Sequence, residues 1–134
     1  FVIRTAGNIV DDIAIGSVEY AVKHLGVRLV LVLGHDDCGA VKATVAGGKA
    51  EGHIDAILQA IRPAVAVAMQ KPGNLLDNAI AQNVCMVINR LQSAQPILAQ
   101  ALQTGDVRIV GGVYHLKDGS VDWRLPLSLQ QSLR

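Results

Sequence analysis

Apolar positions along the 134-residue chain follow two periods, and each period marks one kind of element. Val18, Ala21, Val22 and Leu25 recur at i, i+3, i+4 and i+7, the stripe of an amphipathic helix. Asp11-Asp12 supplies its start and Gly26 its C-terminal cap. Ile80, Val84, Val87, Ile88 and Leu91 predict the longest helix, opened by an Asn74/Asp77 capping pair after the Pro72-Gly73 turn. Ile54, Ile57, Leu58 and Ile61 mark a third helical face, which Pro63 is expected to kink or interrupt before 65–69. A short helix is predicted over 40–46, stopped by Gly47-Gly48, and another from Pro96 to Gly105. Strands are predicted where β-branched and apolar residues run continuously, over 1–5, 27–33 and 107–113. Lys117-Asp118-Gly119 reads as a hairpin-type turn into a last strand over 120–124. The tail after Pro126 is expected to be a short helix or loose. Strand, helix and buried strand in succession form a βαβ unit, so the fold class is α/β with a mainly parallel sheet.

The length fits one domain with one core, here 1–134. A hydrophobic content of 51% excludes disorder, and a net charge of +1 offers no basic field for nucleic acid. Aromatic residues make up 3%, too few for base-stacking platforms. No apolar run is long enough to span a membrane; the densest, 29–33, ends at Gly34-His35-Asp36-Asp37. The chain opens on a predicted strand rather than a leader-like stretch, and its two cysteines do not make a disulfide scaffold. A reducing, cytoplasmic setting is the expectation.

His35 and Cys38 follow the carboxyl end of a central-looking strand, where open α/β sheets place their ligands. Their spacing lets an imidazole and a thiolate converge on one ion, and that pair suits Zn²⁺. Cys38 also opens a helix, whose free N–H groups suit a thiolate. Two donors do not complete a catalytic zinc site, which takes three protein groups. Cys85, between Val84 and Met86, reads as a buried structural thiol in a helix interior. His24 sits near a helix end, His53 at a helix start and His115 at a strand end, all readable as structural or solvated. Asp36 and Asp37 either ligate or hydrogen-bond the loop. Gly47-Gly48 lacks the Lys-Ser/Thr of a phosphate loop, no C-x-x-C is present, and neither Ser17 nor Ser120 sits in a nucleophile elbow.

Several segments together resemble the β-class carbonic anhydrases. They are 1–9 (FVIRTAGNI), 16–21 (GSVEYA), the loop 34–41 (GHDDCGAV), Gly52-His53-Ile54, and 110–114 (VGGVY) followed by Asp118-Gly119. The resemblance runs in order to about residue 124. It implies a sheet with helices on both faces and an antiparallel edge strand, a zinc cofactor held by His35 and Cys38, and reversible hydration of CO₂ to bicarbonate. It implies that the Gly39 N–H donates to a bicarbonate oxygen. It also implies a second bicarbonate pocket at Arg4 and Tyr114, against which stand an Arg packed at a dimer seam and a plain sheet tyrosine. A homodimer or higher homo-oligomer is implied as well. The family's C-x-D-x-R signature precedes the motif at 1–9 and is not among these residues. With it would go the third ligand, the catalytic Asp–Arg pair and a strand between 1–5 and 27–33. The 134 residues alone are therefore expected to be an N-terminally incomplete domain, inactive and poorly folded. Two other functions stay open at this point: an inactive interaction subunit, and a hydrolase of a CO₂-like molecule such as carbon disulfide.

Overall fold

The structure, a computed structural model, describes residues 1–124; the tail after Pro126 lies outside them. In chain order the elements are a 3₁₀ turn Ala6–Asn8, α1 (Asp12–Leu25), β1 (Leu29–His35), α2 (Gly39–Ala46), α3 (Ile54–Ala68), α4 (Leu75–Gln92), α5 (Ile97–Gln103), β2 (Arg108–Tyr114) and β3 (Val121–Arg124). The caps act as their residue types dictate. The Asp11 carboxylate accepts the Ala14 N–H at 2.8 Å, and Gly26 closes α1 with a φ of +68°, a left-handed conformation that favours glycine. The Asn74 side chain accepts the Asp77 N–H at 3.1 Å.

The sheet has the order β1-β2-β3, with β1 and β2 parallel and β3 antiparallel at one edge. Leu29 pairs with Arg108 and His35 with Tyr114, so the two long strands match along their whole length. Helix α4 is the hub. Ala79 and Val84 are fully buried in it, and Ile80, Val87, Ile88 and Leu91 nearly so. Gly34 of β1 and Gly111 of β2 face it. A Cβ on Gly111 would lie 2.5 Å from Ile88 Cδ1 and 2.7 Å from Val84 Cγ1; one on Gly34 would lie 2.7 Å from Val84 Cγ2. The absent side chains are what let helix and sheet meet so closely.

Three expectations are corrected. Residues 1–5 form no strand among the described residues; Thr5 is extended, at φ −132° and ψ 153°, but the segment has no ladder partner. A strand is held by ladder hydrogen bonds to a neighbour, and without one the backbone of this segment is left to water, with Phe1 and Val2 exposed. Pro63 does not interrupt α3, which runs through it. The ring removes one backbone donor, but Ile61, Ala64 and Ala68 on either side are fully buried, and that packing holds the helix together. The apolar stripe of α1 is only partly used: Val18 and Ala21 are buried, Leu25 is exposed.

Alternation along β1 turns Val32 and Gly34 inward and leaves Leu29, Leu31 and Leu33 exposed. The pairing register sets Val110, Gly112 and Trp123 beside them on the same face. The described helices therefore cover one face of the sheet much more fully than the other. Gly111→Ala is expected to destabilise the fold by about 1–3 kcal/mol through overpacking against the stiff Val84 side chain. Chemical denaturation of variant and parent measures it.

Candidate metal centre

His35 ends β1, and Cys38 is the N-cap of α2, three residues on. The turn between them is held by its own polar groups. The Asp36 N–H donates to the Tyr114 carbonyl at 3.0 Å, continuing the ladder with β2 by one step. Asp37 takes the left-handed conformation at φ +51°, and its carboxylate pairs with Lys42 in the first turn of α2 at 2.5 Å. The bond from Lys42 holds the Asp37 carboxyl below its ordinary value.

His35 Nδ1 lies 2.8 Å from the Asp36 carbonyl oxygen. A carbonyl only accepts, so Nδ1 carries the proton, and in the neutral ring Nε2 keeps its lone pair free. That is the state a metal-binding imidazole needs. Cys38 is buried with a free thiol. The N–H groups of Gly39, Ala40 and Val41 precede the first helical donor of α2, since the first bond of that turn runs from the Lys42 N–H to the Cys38 carbonyl. Gly39 is open to approach: a Cβ there would meet nothing within 4 Å. In kind, the donors fit zinc; in number, they fall short. Among the described residues no group of three His, Cys, Asp or Glu side chains could hold a metal ion.

Cys85 does not join the pair. It lies in α4, half-buried rather than buried as expected. His53 caps α3 without a side-chain bond, and His24 stacks against Tyr20 with ring centroids 5.0 Å apart. Arg4 is exposed, and no hydrogen bond or ion pair joins it to Tyr114, whose hydroxyl leans over Gly119 in the β2–β3 turn.

Two features went unread in the sequence. Asn83 is buried on the apolar face of α4, and its Nδ2 donates to the Gly7 carbonyl at 2.7 Å, which fastens the 6–8 turn beside β1. A polar residue amid Ile80, Val84 and Val87 was the available signal. The second is a cluster beyond the turn. Asp36 Oδ1 accepts the Leu116 N–H at 3.0 Å, while Oδ2 lies 3.4 Å from His115 Nδ1. His115 Nε2 lies 3.3 Å from Asp122 Oδ2. Asp77 of α4 lines a small cavity with Asp36, His115 and Asp122, and nearby Asp118 has its carboxyl held below its ordinary value chiefly by the bonds from Ser120.

The bond to Asp122, reinforced by Asp36, raises the His115 pKa above its ordinary 6.5, against a smaller opposing effect of burial. A value raised on folding stabilises the fold most below the unfolded pKa, and that stabilisation is lost as pH rises through the folded one. The melting-temperature gap between the parent protein and His115→Gln is therefore expected to be wider at pH 5.5 than at pH 9. Thermal unfolding at the two pH values measures it.

Residues 1–121 match the family model for carbonic anhydrase. The chain is 41% identical over 128 residues to a carbonic anhydrase of Mycolicibacterium smegmatis, covering 92% of this chain and 62% of that protein. It is 34% identical over 123 residues to carbonic anhydrase 2 of Mycobacterium tuberculosis, covering 89% and 59%. The fold superposes on the Coccomyxa β-carbonic anhydrase, solved with acetazolamide, with a TM-score of 0.80 at 28% identity, covering 92% of this chain and 60% of that one. The β-carbonic anhydrase CcaA gives 0.77 at 26%, covering 94% and 71%. The chain thus spans about 60% of the length of the curated relatives named here. The match runs through the 1–9 motif, the His35–Cys38 turn and the β2 segment, and by it the chain belongs to the β-class carbonic anhydrase family.

Proposed function

We propose that the protein carrying these residues hydrates CO₂ reversibly, CO₂ + H₂O giving HCO₃⁻ and H⁺, at a zinc ion held by His35 and Cys38. The observation that carries this is the His35 ring, locked by its Nδ1–H on the Asp36 carbonyl so that Nε2 is left as a bare donor atom at the carboxyl end of β1. Family membership supplies the substrate class. The third protein donor and the Asp–Arg pair belong, on the resemblance, to the C-x-D-x-R signature outside these residues. Zinc, when bound, would supply Lewis acidity that lowers the pKa of a water to about 7. This chain's residues do the rest by placement. His35 would contribute a neutral nitrogen and Cys38 a sulfur, one at each end of the four-residue turn 35–38. Gly39, at the start of α2, offers its N–H to a bicarbonate oxygen, where the helix dipole also favours an anion. Arg4 and Tyr114 stand as a second bicarbonate pocket only if the exposed Arg4 side chain swings toward the end of β2.

Two observations bear on partners and location. Leu29, Leu31 and Leu33 leave an apolar strip on the sheet, of the kind a second copy of the chain covers. A homodimer or larger homo-oligomer, working in the cytoplasm, completes the proposal. Among the described residues no helix is long and apolar enough to cross a membrane.

Cys38→Ser is expected to lose zinc on dialysis, because a neutral hydroxyl is a far poorer ligand than a thiolate. Metal analysis together with stopped-flow CO₂ hydration checks it; stoichiometric zinc in a His35→Ala/Cys38→Ser double variant would overturn the assignment. Sedimentation of the complete protein at micromolar concentration is expected to give a dimer or larger, and a clean monomer would remove that part of the reading.

A further inference from the structure

Asp36 spends every polar group it has on contacts that converge on the metal turn. Its N–H donates to the Tyr114 carbonyl at 3.0 Å, and its own carbonyl accepts from His35 Nδ1 at 2.8 Å. One carboxylate oxygen accepts the Leu116 N–H at 3.0 Å, and the other faces His115 Nδ1 at 3.4 Å. His115 is in turn held from its far side by Asp122 of β3. The peptide carbonyl that fixes the His35 ring therefore belongs to a residue pinned on three further sides by the end of β2 and the turn that follows it. The bond to the His35 ring is local, but the contacts that hold Asp36 in place span about 80 positions of sequence, so the carbonyl that meets the ring is set by tertiary structure.

We propose that Asp36 is a positioning residue for the His35 imidazole: its carboxylate grips Leu116 and His115, and through that grip its carbonyl holds the ring with Nε2 toward the ion. The inference rests on reading His35 as a metal ligand. Asp36 itself does not ligate, because both of its carboxylate oxygens are turned to the β2–β3 turn. Partners that orient a ligating imidazole typically account for 10–100-fold in metal affinity.

The test uses the complete protein, loaded with zinc for affinity and with cobalt for geometry. Zinc affinity is read by competition with a chromophoric chelator, and ligand geometry by the visible bands of the cobalt form. Asp36→Ala is expected to weaken zinc by about 10–100-fold and to shift the cobalt spectrum. Asp36→Asn keeps a carbonyl oxygen for the Leu116 N–H and is expected to restore most of both. Should Asp36→Ala not fold, by circular dichroism, Asp36→Ser carries the same two expectations, since it lacks the reach to Leu116. Parental affinity and spectrum in the folded Ala or Ser variant overturn the proposal. Loss of zinc in Asp36→Asn as complete as in His35→Ala also overturns it, by making Asp36 a ligand. The metal assignment is judged separately: if His35→Ala keeps zinc at parental affinity, that reading fails and this one with it. If His35→Ala loses zinc while Asp36→Ala does not, only the positioning role falls.

Discussion

The close seating of α4 on the sheet is the constraint on which the rest depends. Ile80, Val84 and Ile88 lie one turn apart on a single row of the helix, and that row meets Gly34 and Gly111 where a Cβ would leave 2.5–2.7 Å to Val84 and Ile88. Val84 is β-branched and stiff, so it cannot rotate out of the way. Gly34 immediately precedes His35. The contact that builds the core and the turn that carries the candidate ligands therefore share one stretch of backbone, and a shift of α4 reaches His35 across a single peptide.

The two-residue period of β1 ties the site to the uncovered face. The inward turn of Gly34 obliges His35 to point the other way, along with Leu29, Leu31 and Leu33. The candidate ligand thus stands at the end of an apolar strip, next to whatever covers that strip. A chain that buried both faces within these residues would have no such border. Cys38 is placed differently: it sits past the strand end at the start of α2 and is buried, so one candidate ligand comes from the open face and the other from the core.

Long-range polar bonds then fix what hydrophobic packing leaves loose. Asn83 reaches back to Gly7, and Asp36 reaches forward to Leu116 and His115. Each crosses more than 70 positions: one fastens the 6–8 turn to α4, and the other fastens the turn after β1 to the turn that follows β2. Loops without such bonds would let the turn wander by more than a metal tolerates, since ligand distances and angles are set within narrow limits.

The sequence by itself carried the local physics. The helical stripes, the Asp11, Gly26 and Asn74 caps and the β2–β3 turn were legible because each depends on residues a few positions apart. The His35–Cys38 pair was legible for the same reason, its spacing being a local fact, and the family likeness was carried by short contiguous motifs. Tertiary structure decided the rest. Residues 1–5 have the composition of a strand, but a strand exists only beside a partner, and no local pattern supplies one. Pro63 breaks a helix in isolation and does not break one whose neighbours are buried on both sides. Asp36 could be read as ligand or loop bond until β2 came alongside β1, because its two carboxylate oxygens are claimed by residues about 80 positions away. Backbone preferences are settled within a turn or two of chain; what a side chain finally touches is settled only when distant segments meet.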